Sequence, residues 1–177
     1  TASGSYSFVG SGSVNTASTY SSTVAGGRCN RACTNSFSTV GGGYANVASG
    51  YMSFVGGGCQ NLASATSATV SGGQNNTSGG DRSTIGGGLC NTSSGYRTTV
   101  AGGEFNCSTA SYSFTGGGYN NKTTGCHGTI AGGIGNAASG ACSTISGGCA
   151  NINTGSSSFL GAGACNYICN PAGGTYY

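Results

Sequence analysis

Ser38-Thr39-Val40-Gly41-Gly42-Gly43-Tyr44-Ala45-Asn46-Val47-Ala48-Ser49-Gly50 is the stretch that decides how this chain folds. An aliphatic residue is followed three places later by Gly and three places after that by Asn, and the same order recurs eleven times at a fifteen-residue spacing. The aliphatic column is Val9, Val24, Val40, Val55, Val70, Ile85, Val100, Thr115, Ile130, Ile145 and Leu160, with one sixteen-residue step between Val24 and Val40 and only Thr115 not aliphatic. The Gly column, from Gly12 to Gly163, has no exception, and neither does the Asn column. A period of this kind marks stacked units that cannot bury their own apolar face until a neighbour covers it. The chain is predicted to be an all-β parallel β-solenoid, a β-roll of about eleven fifteen-residue rungs. A single domain spans 1–177, with an irregular C-terminal end over 165–177 where Pro171 and the residues after it leave the pattern.

With 38 Gly and 4% charged residues, composition alone points to a low-complexity chain. The period overrules that, because a disordered linker has no reason to hold Val, Gly and Asn in phase. Ten Cys in so short a chain point to an oxidising compartment, and hence to a secreted or surface-displayed, extracellular protein. The chain starts at Thr1 without a signal-like apolar stretch, so a processed form or a fragment is expected. No segment is long enough to span a bilayer, and membrane insertion is not expected. A net charge of +3, spread over Arg28, Arg31, Arg82, Arg97 and Lys122, gives no stripe for a row of phosphates, which argues against nucleic acid as a partner.

Around each aliphatic residue the pattern is Ser-Thr-Val or Ser-Phe-Val, a short strand, and the Gly residues after it predict a sharp corner. A second extended piece, Asn-x-Ala-Ser, runs into another corner at Gly50, Gly95, Gly125, Gly140 or Gly155. Alternation along a strand sorts the columns by face. Inward fall the aliphatic residue, the small residue two places before it, the Asn, and the column of Ala17, Ala32, Ala48, Ala63, Ser78, Ser93, Ser108 and Ala138. Outward fall the columns that hold Arg31, Arg82, Arg97, Lys122 and His127. A circuit at ~3.3 Å per residue is ~50 Å around, and eleven rungs at ~4.8 Å make a rod ~50 Å long.

The Asn column, Asn15, Asn30, Asn46, Asn61, Asn76, Asn91, Asn106, Asn121, Asn136, Asn151 and Asn166, is predicted to form a ladder in which each amide donates to one neighbouring rung and accepts from the other. The rival reading is that each Asn only serves a left-handed turn. Asn76, Asn91, Asn106 and Asn121 also begin Asn-x-Ser/Thr triplets, but an inward amide is closed to glycosylation; Asn75, outside the column, is the candidate acceptor.

Cys29 and Cys33 recur as Cys165 and Cys169 in the same two columns, so local bridges near both ends are one expectation. Cys126 with Cys142, and Cys149 with Cys165, lie one rung apart and shifted by one residue, at a spacing a disulfide accepts. These pairings compete for Cys165. No metal site or cofactor is expected, since Cys-x3-Cys without supporting His is a weak zinc pattern. The first residues match the closing half of a rung with nothing to cover it, which leaves an open N-terminal end able to pair with another subunit.

The outward column beside the aliphatic one carries Phe8, Phe54, Phe114 and Phe159 among Thr, including Thr84 and Thr99, flanked by Gly, Ala or Ser. This flat, uncharged face is the candidate association surface. Its bland reading is surface aromatics that need no partner.

The repeat over 38–50 resembles the head repeats of trimeric autotransporter adhesins, the YadA-type heads, and the likeness extends over almost the whole chain. The resemblance implies a left-handed parallel β-roll, three parallel chains and a role in surface attachment.

Catalysis is not expected. Asp81 and Glu104 lie in different columns and rungs, His127 stands alone, and the many Ser belong to the repeat. The leading expectation is a non-enzymatic extracellular structural or adhesive rod that self-associates, as a homo-oligomer or filament, into a fibre, appendage or adhesin head. Its corners, at Tyr20, Tyr44, Tyr51, Tyr96, Tyr119, Arg82 and Arg97, are then free to meet a surface ligand. The alternative is an ice-binding protein using the Thr-rich face; a carbohydrate-binding surface is a third.

Overall fold

The computed structural model describes residues 1–169. Two eleven-stranded parallel sheets run the length of the rod, one from Phe8–Val9 to Phe159–Leu160 and the other from Thr16–Ala17 to Tyr167–Ile168. Each strand is two residues long, and like pairs with like: Val55 lies beside Val40 and Val70, and Ala48 beside Ala32 and Ala63. The predicted solenoid is thus the fold, in register from end to end. A third, single-residue ladder runs through Ser13, Arg28, Tyr44, Cys59 and their successors to Ala164, so each circuit has three sides rather than the two expected extended pieces.

The inward columns are inward. Val24, Val40, Val55, Val70, Val100, Ile85, Ile130 and Ile145 are wholly buried, each contributing about 1.5–3 kcal/mol over an exposed position. The Ala and Ser opposite them are buried as well. Where the Ala column holds Ser, the Ser or Thr five residues on becomes its partner: Ser78 with Ser83 at 2.6 Å, Ser93 with Thr98 at 2.6 Å, and Ser108 with Ser113 at 2.7 Å. Where it holds Ala48 or Ala138, the hydroxyl of Ser53 or Ser143 is buried without a partner.

The Asn residues form the predicted ladder, and its rails are mainly backbone. Each Asn Oδ1 accepts the main-chain N–H of the Asn in the next rung, at 2.9–3.0 Å over all ten steps. The Asn61 Nδ2 donates to the carbonyls of Gly57 and Gly73, at 2.9 and 2.8 Å, and its counterparts repeat the scheme. Direct amide-to-amide bonds occur at four steps, such as Asn76 to Asn61 at 3.2 Å. The Asn residues themselves are not left-handed, so the turn reading does not hold. The Gly column is needed beside them: Gly73 has φ +87°, and a Cβ there would lie 2.2 Å from the Gly88 carbonyl oxygen.

The corners differ from expectation. Gly50, Gly95, Gly125, Gly140 and Gly155 do not take positive φ. The turn is made two residues later by Met52, Arg97, His127, Cys142 and Ser157, all at φ 52–56°. A second left-handed column precedes the Asn, through Val14, Cys29, Ala45 and Gln60 to Cys165. Left-handed backbone turns the N–H back towards the preceding rung, where Met52 donates to Ser36 at 3.1 Å and Gln60 to Tyr44 at 2.9 Å. That bond offsets the steric cost, about 1–2 kcal/mol for a residue with a Cβ. The sixteenth residue of the long rung is absorbed at the same corner, where Thr34 adds another left-handed position at φ 78°.

The eleventh rung keeps its register through Tyr167–Ile168, paired with Ile152–Asn153. The irregularity expected from residue 165 is therefore not found over 165–169, and Pro171 and the rest of 170–177 lie outside the described residues.

Candidate interaction surface

The columns that hold the rod together leave outward the faces of the two sheets and the corners between them. On the face of the first sheet, the register places Thr39, Phe54 and Thr69 side by side, and likewise Thr84, Thr99 and Phe114. The predicted association residues are thus brought onto one surface. Two or three Thr rungs separate successive Phe, so the rings do not meet one another within a chain. Thr84 and Thr99 are half-buried, while Phe8, Phe54, Phe114 and Phe159 stay 56%, 41%, 39% and 66% exposed.

Each of these Phe has Gly two residues on, at Gly10, Gly56, Gly116 and Gly161. A Cβ on Gly10, Gly56 or Gly116 would lie 2.3 Å from a carbonyl oxygen of the next rung, much as it would at Gly41 and Gly86 after Thr, and 3.2, 3.4 or 3.3 Å from the Phe Cε1, so the ring lies over a residue with no side chain. The face stays planar although it carries aromatics.

The corner that turns at Met52 and Arg97 carries aromatic contacts from rung to rung. Tyr6, Tyr20, Phe37 and Tyr51 meet edge to face at 5.5–5.7 Å. Farther along, Tyr96 and Tyr112 meet in the same way at 5.5 Å, and Arg82 and Arg97 lie against them. On the other corner Phe105 meets Tyr119 at 5.8 Å. Tyr44 and Tyr119 are exposed members of the third ladder. This continuity was not legible in the residue order. The signal for it is that partners stand fourteen to seventeen positions apart in two adjacent corner columns.

All ten cysteines are free thiols, which corrects the expected bridges. Cys29 and Cys33 stand on either side of the strand Arg31–Ala32, and Cys165 and Cys169 on either side of Tyr167–Ile168. Extended chain at ~3.3 Å per residue holds each pair beyond the ~7 Å Cα limit of a disulfide. The cross-rung pairs are closer. The Cys142 N–H donates to the Cys126 carbonyl at 2.8 Å and the Cys165 N–H to that of Cys149 at 2.9 Å, yet their thiols are not joined. Cys107 is half-buried, and burial raises its thiol pKa, an effect partly offset by the neighbouring Lys122 ammonium.

Asn75 is exposed at φ 55°, whereas the amide of adjacent Asn76 is buried and donates to the carbonyls of Gly72 and Gly88. The four triplets inside the ladder are thus closed to a modifying enzyme and Asn75 is open. Arg31 and Lys122 project from the second sheet, away from the Phe face. Among the described residues no group of three or more His, Cys, Asp or Glu is placed to hold a metal ion, and no helix is long and apolar enough to cross a membrane.

No protein-family model and no curated protein matches this chain.

Proposed function

We propose that the chain is an extracellular structural or adhesive module, a stiff rod that associates laterally with copies of itself to build a fibre, appendage or adhesin head. The observation that supports this reading is the flat face. Four exposed Phe rings lie on a planar, uncharged sheet surface bordered by Gly, Ala, Ser and Thr, and a second flat surface covers them at little conformational cost. The Thr around them lose little rotamer freedom on being covered, since β-branched side chains are stiff already. A parallel three-chain arrangement, as in the YadA-type heads whose repeat this one resembles, is the arrangement we favour.

Native mass measurement in non-reducing solution tests the reading. An oligomer is the expected result, and Phe54→Ser with Phe114→Ser shifts it towards the single chain. A lone 16.9 kDa particle overturns it. Residence outside the cell is part of the proposal.

Ice binding is the second reading, supported by Thr69, Thr84 and Thr99 standing in unbroken register on three successive strands. Thermal hysteresis in a cooled solution separates the two readings.

A further inference from the structure

Along one corner, rungs in succession place Arg82, Arg97, Tyr112 and His127 in the same left-handed column, and Tyr96 stands immediately before Arg97. The five groups form one chain of contacts. An Arg82 guanidinium nitrogen donates to the Tyr96 hydroxyl at 2.6 Å. The Arg97 guanidinium lies 5.0 Å from the centre of the Tyr96 ring and 5.8 Å from that of Tyr112. Tyr112 stacks on His127 at 4.8 Å with the planes 2° apart.

The fold does not require these side chains. Ser67 and Ser157 occupy the same column and make the same backbone bonds to the preceding rung, at 2.7 and 2.8 Å. What Arg82, Arg97, Tyr112 and His127 add is an exposed strip of cations held in place by aromatic rings. Two of the five basic residues that give the chain its charge stand here on consecutive rungs. Asp81 borders the strip, but its Oδ1 accepts the Thr66 N–H at 3.1 Å, one rung back and away from Arg97.

We infer that this corner binds an acidic polysaccharide laid along the axis of the rod. Arg82 and Arg97 rise from consecutive rungs whose backbones are ~4.8 Å apart, about the length of one sugar residue in an extended chain. A planar guanidinium takes a carboxylate through two parallel hydrogen bonds, and cation–π contact fixes its plane beforehand, so little freedom is lost on binding. One face of the Tyr96 ring is already taken by Arg97 and one face of the Tyr112 ring by His127. Single-stranded nucleic acid needs such faces free for its bases, so a uronic acid polymer is favoured. Arg82, Arg97, Tyr112 and His127 are all exposed on successive rungs, which suits a long ligand held at several points rather than a small one. The corner borders the Phe face, since Arg82 and Arg97 stand two residues before Thr84 and Thr99, but the inference is tested by polysaccharide retention and not by oligomer mass.

The probe is polygalacturonate, immobilised, with dextran as the neutral control and a single-stranded oligonucleotide as the competing polyanion. Expected is retention on polygalacturonate at low ionic strength, with release as salt rises and none on dextran. Arg82→Ala with Arg97→Ala weakens binding about tenfold or more, whereas Arg28→Ala with Arg31→Ala, which removes the same charge elsewhere on the rod, changes it by no more than about twofold. Arg82→Lys with Arg97→Lys keeps the charge and loses the fork, and it falls between the two. Thermal melting of each variant establishes that the rod is intact. The inference is overturned by absence of retention, by equal loss in both alanine pairs, which would make net charge the sole cause, or by retention of the protein on the oligonucleotide alone.

Discussion

The hydroxyls of Thr115 and Thr123 lie 2.9 Å apart across the core. Elsewhere the same two columns hold an aliphatic residue and mostly Ala or Ser, so the eighth rung carries a polar plug in an otherwise apolar file. The plug divides the core in two, with Val24 to Val100 on one side and Ile130, Ile145 and Leu160 on the other. Gly128 accommodates it, since a Cβ there would lie 2.9 Å from the Thr123 Cγ2. Thr115, the one exception in the aliphatic column, is thus half of a pair.

Thr115→Val alone therefore destabilises the rod by about 1–3 kcal/mol, because it strands the buried Thr123 hydroxyl. Thr115→Val with Thr123→Ala recovers most of that loss. A double-mutant cycle on urea unfolding midpoints checks the coupling, and simple additivity would refute it.

Asn61→Ala removes the donor to the Gly57 and Gly73 carbonyls and the acceptor of the Asn76 N–H in one step. The Asn76 N–H and the Gly57 carbonyl lose their partners while the Gly73 carbonyl keeps the Cys59 N–H, so a loss of about 2 kcal/mol or more is expected. Asn166→Ala, at the last described rung, costs far less, because Asn166 is exposed and, among the described residues, its amide nitrogen meets only Asn151 and Ala162. Denaturant titration of the two variants gives the comparison.

Adjacent glycines are predicted to respond oppositely. Gly73→Ala puts a methyl 2.2 Å from the Gly88 carbonyl oxygen at φ +87°, so soluble folded protein is not recovered. Gly72→Ala meets nothing within 4 Å and leaves the melting temperature nearly unchanged. Ala162 already occupies that column in the last rung.

Ser53→Ala removes a buried hydroxyl that has no partner and faces the Ala48 rung, and it is expected to raise stability by about 1 kcal/mol. Ala48→Ser reaches the same end by supplying a partner at 2.6–2.7 Å, the separation of the equivalent Ser78–Ser83 and Ser108–Ser113 pairs. A fall in unfolding midpoint for both variants would contradict this account.

Cys107 provides a pH signature. Burial raises its folded pKa above the ordinary thiol value, so the stability it contributes is complete below the unfolded pKa and is lost as pH rises through the folded one. Lys122→Ala removes the effect that lowers that pKa and moves the midpoint of Cys107 alkylation to still higher pH. Alkylation rate against pH, read at the Cys107 peptide, tests the direction.

Residue order was enough to show the rung length, the parallel stack and the inward files, because a side chain whose neighbours above and below are its own counterparts is constrained identically in every circuit. Val55 and Asn61 declared themselves by recurring. The left-handed corners did not. Positions such as Ala45, Met52 and Gln60 carry side chains that ordinarily avoid that backbone, and only the carbonyl of the rung before makes it favourable. The same holds for Thr115 with Thr123, for Phe54 over Gly56, and for the contacts running from Arg82 to His127. Each depends on which side chains are brought face to face when the chain closes its circuit. A repeat records what every rung needs, whereas stacking decides what one rung alone does with its neighbour.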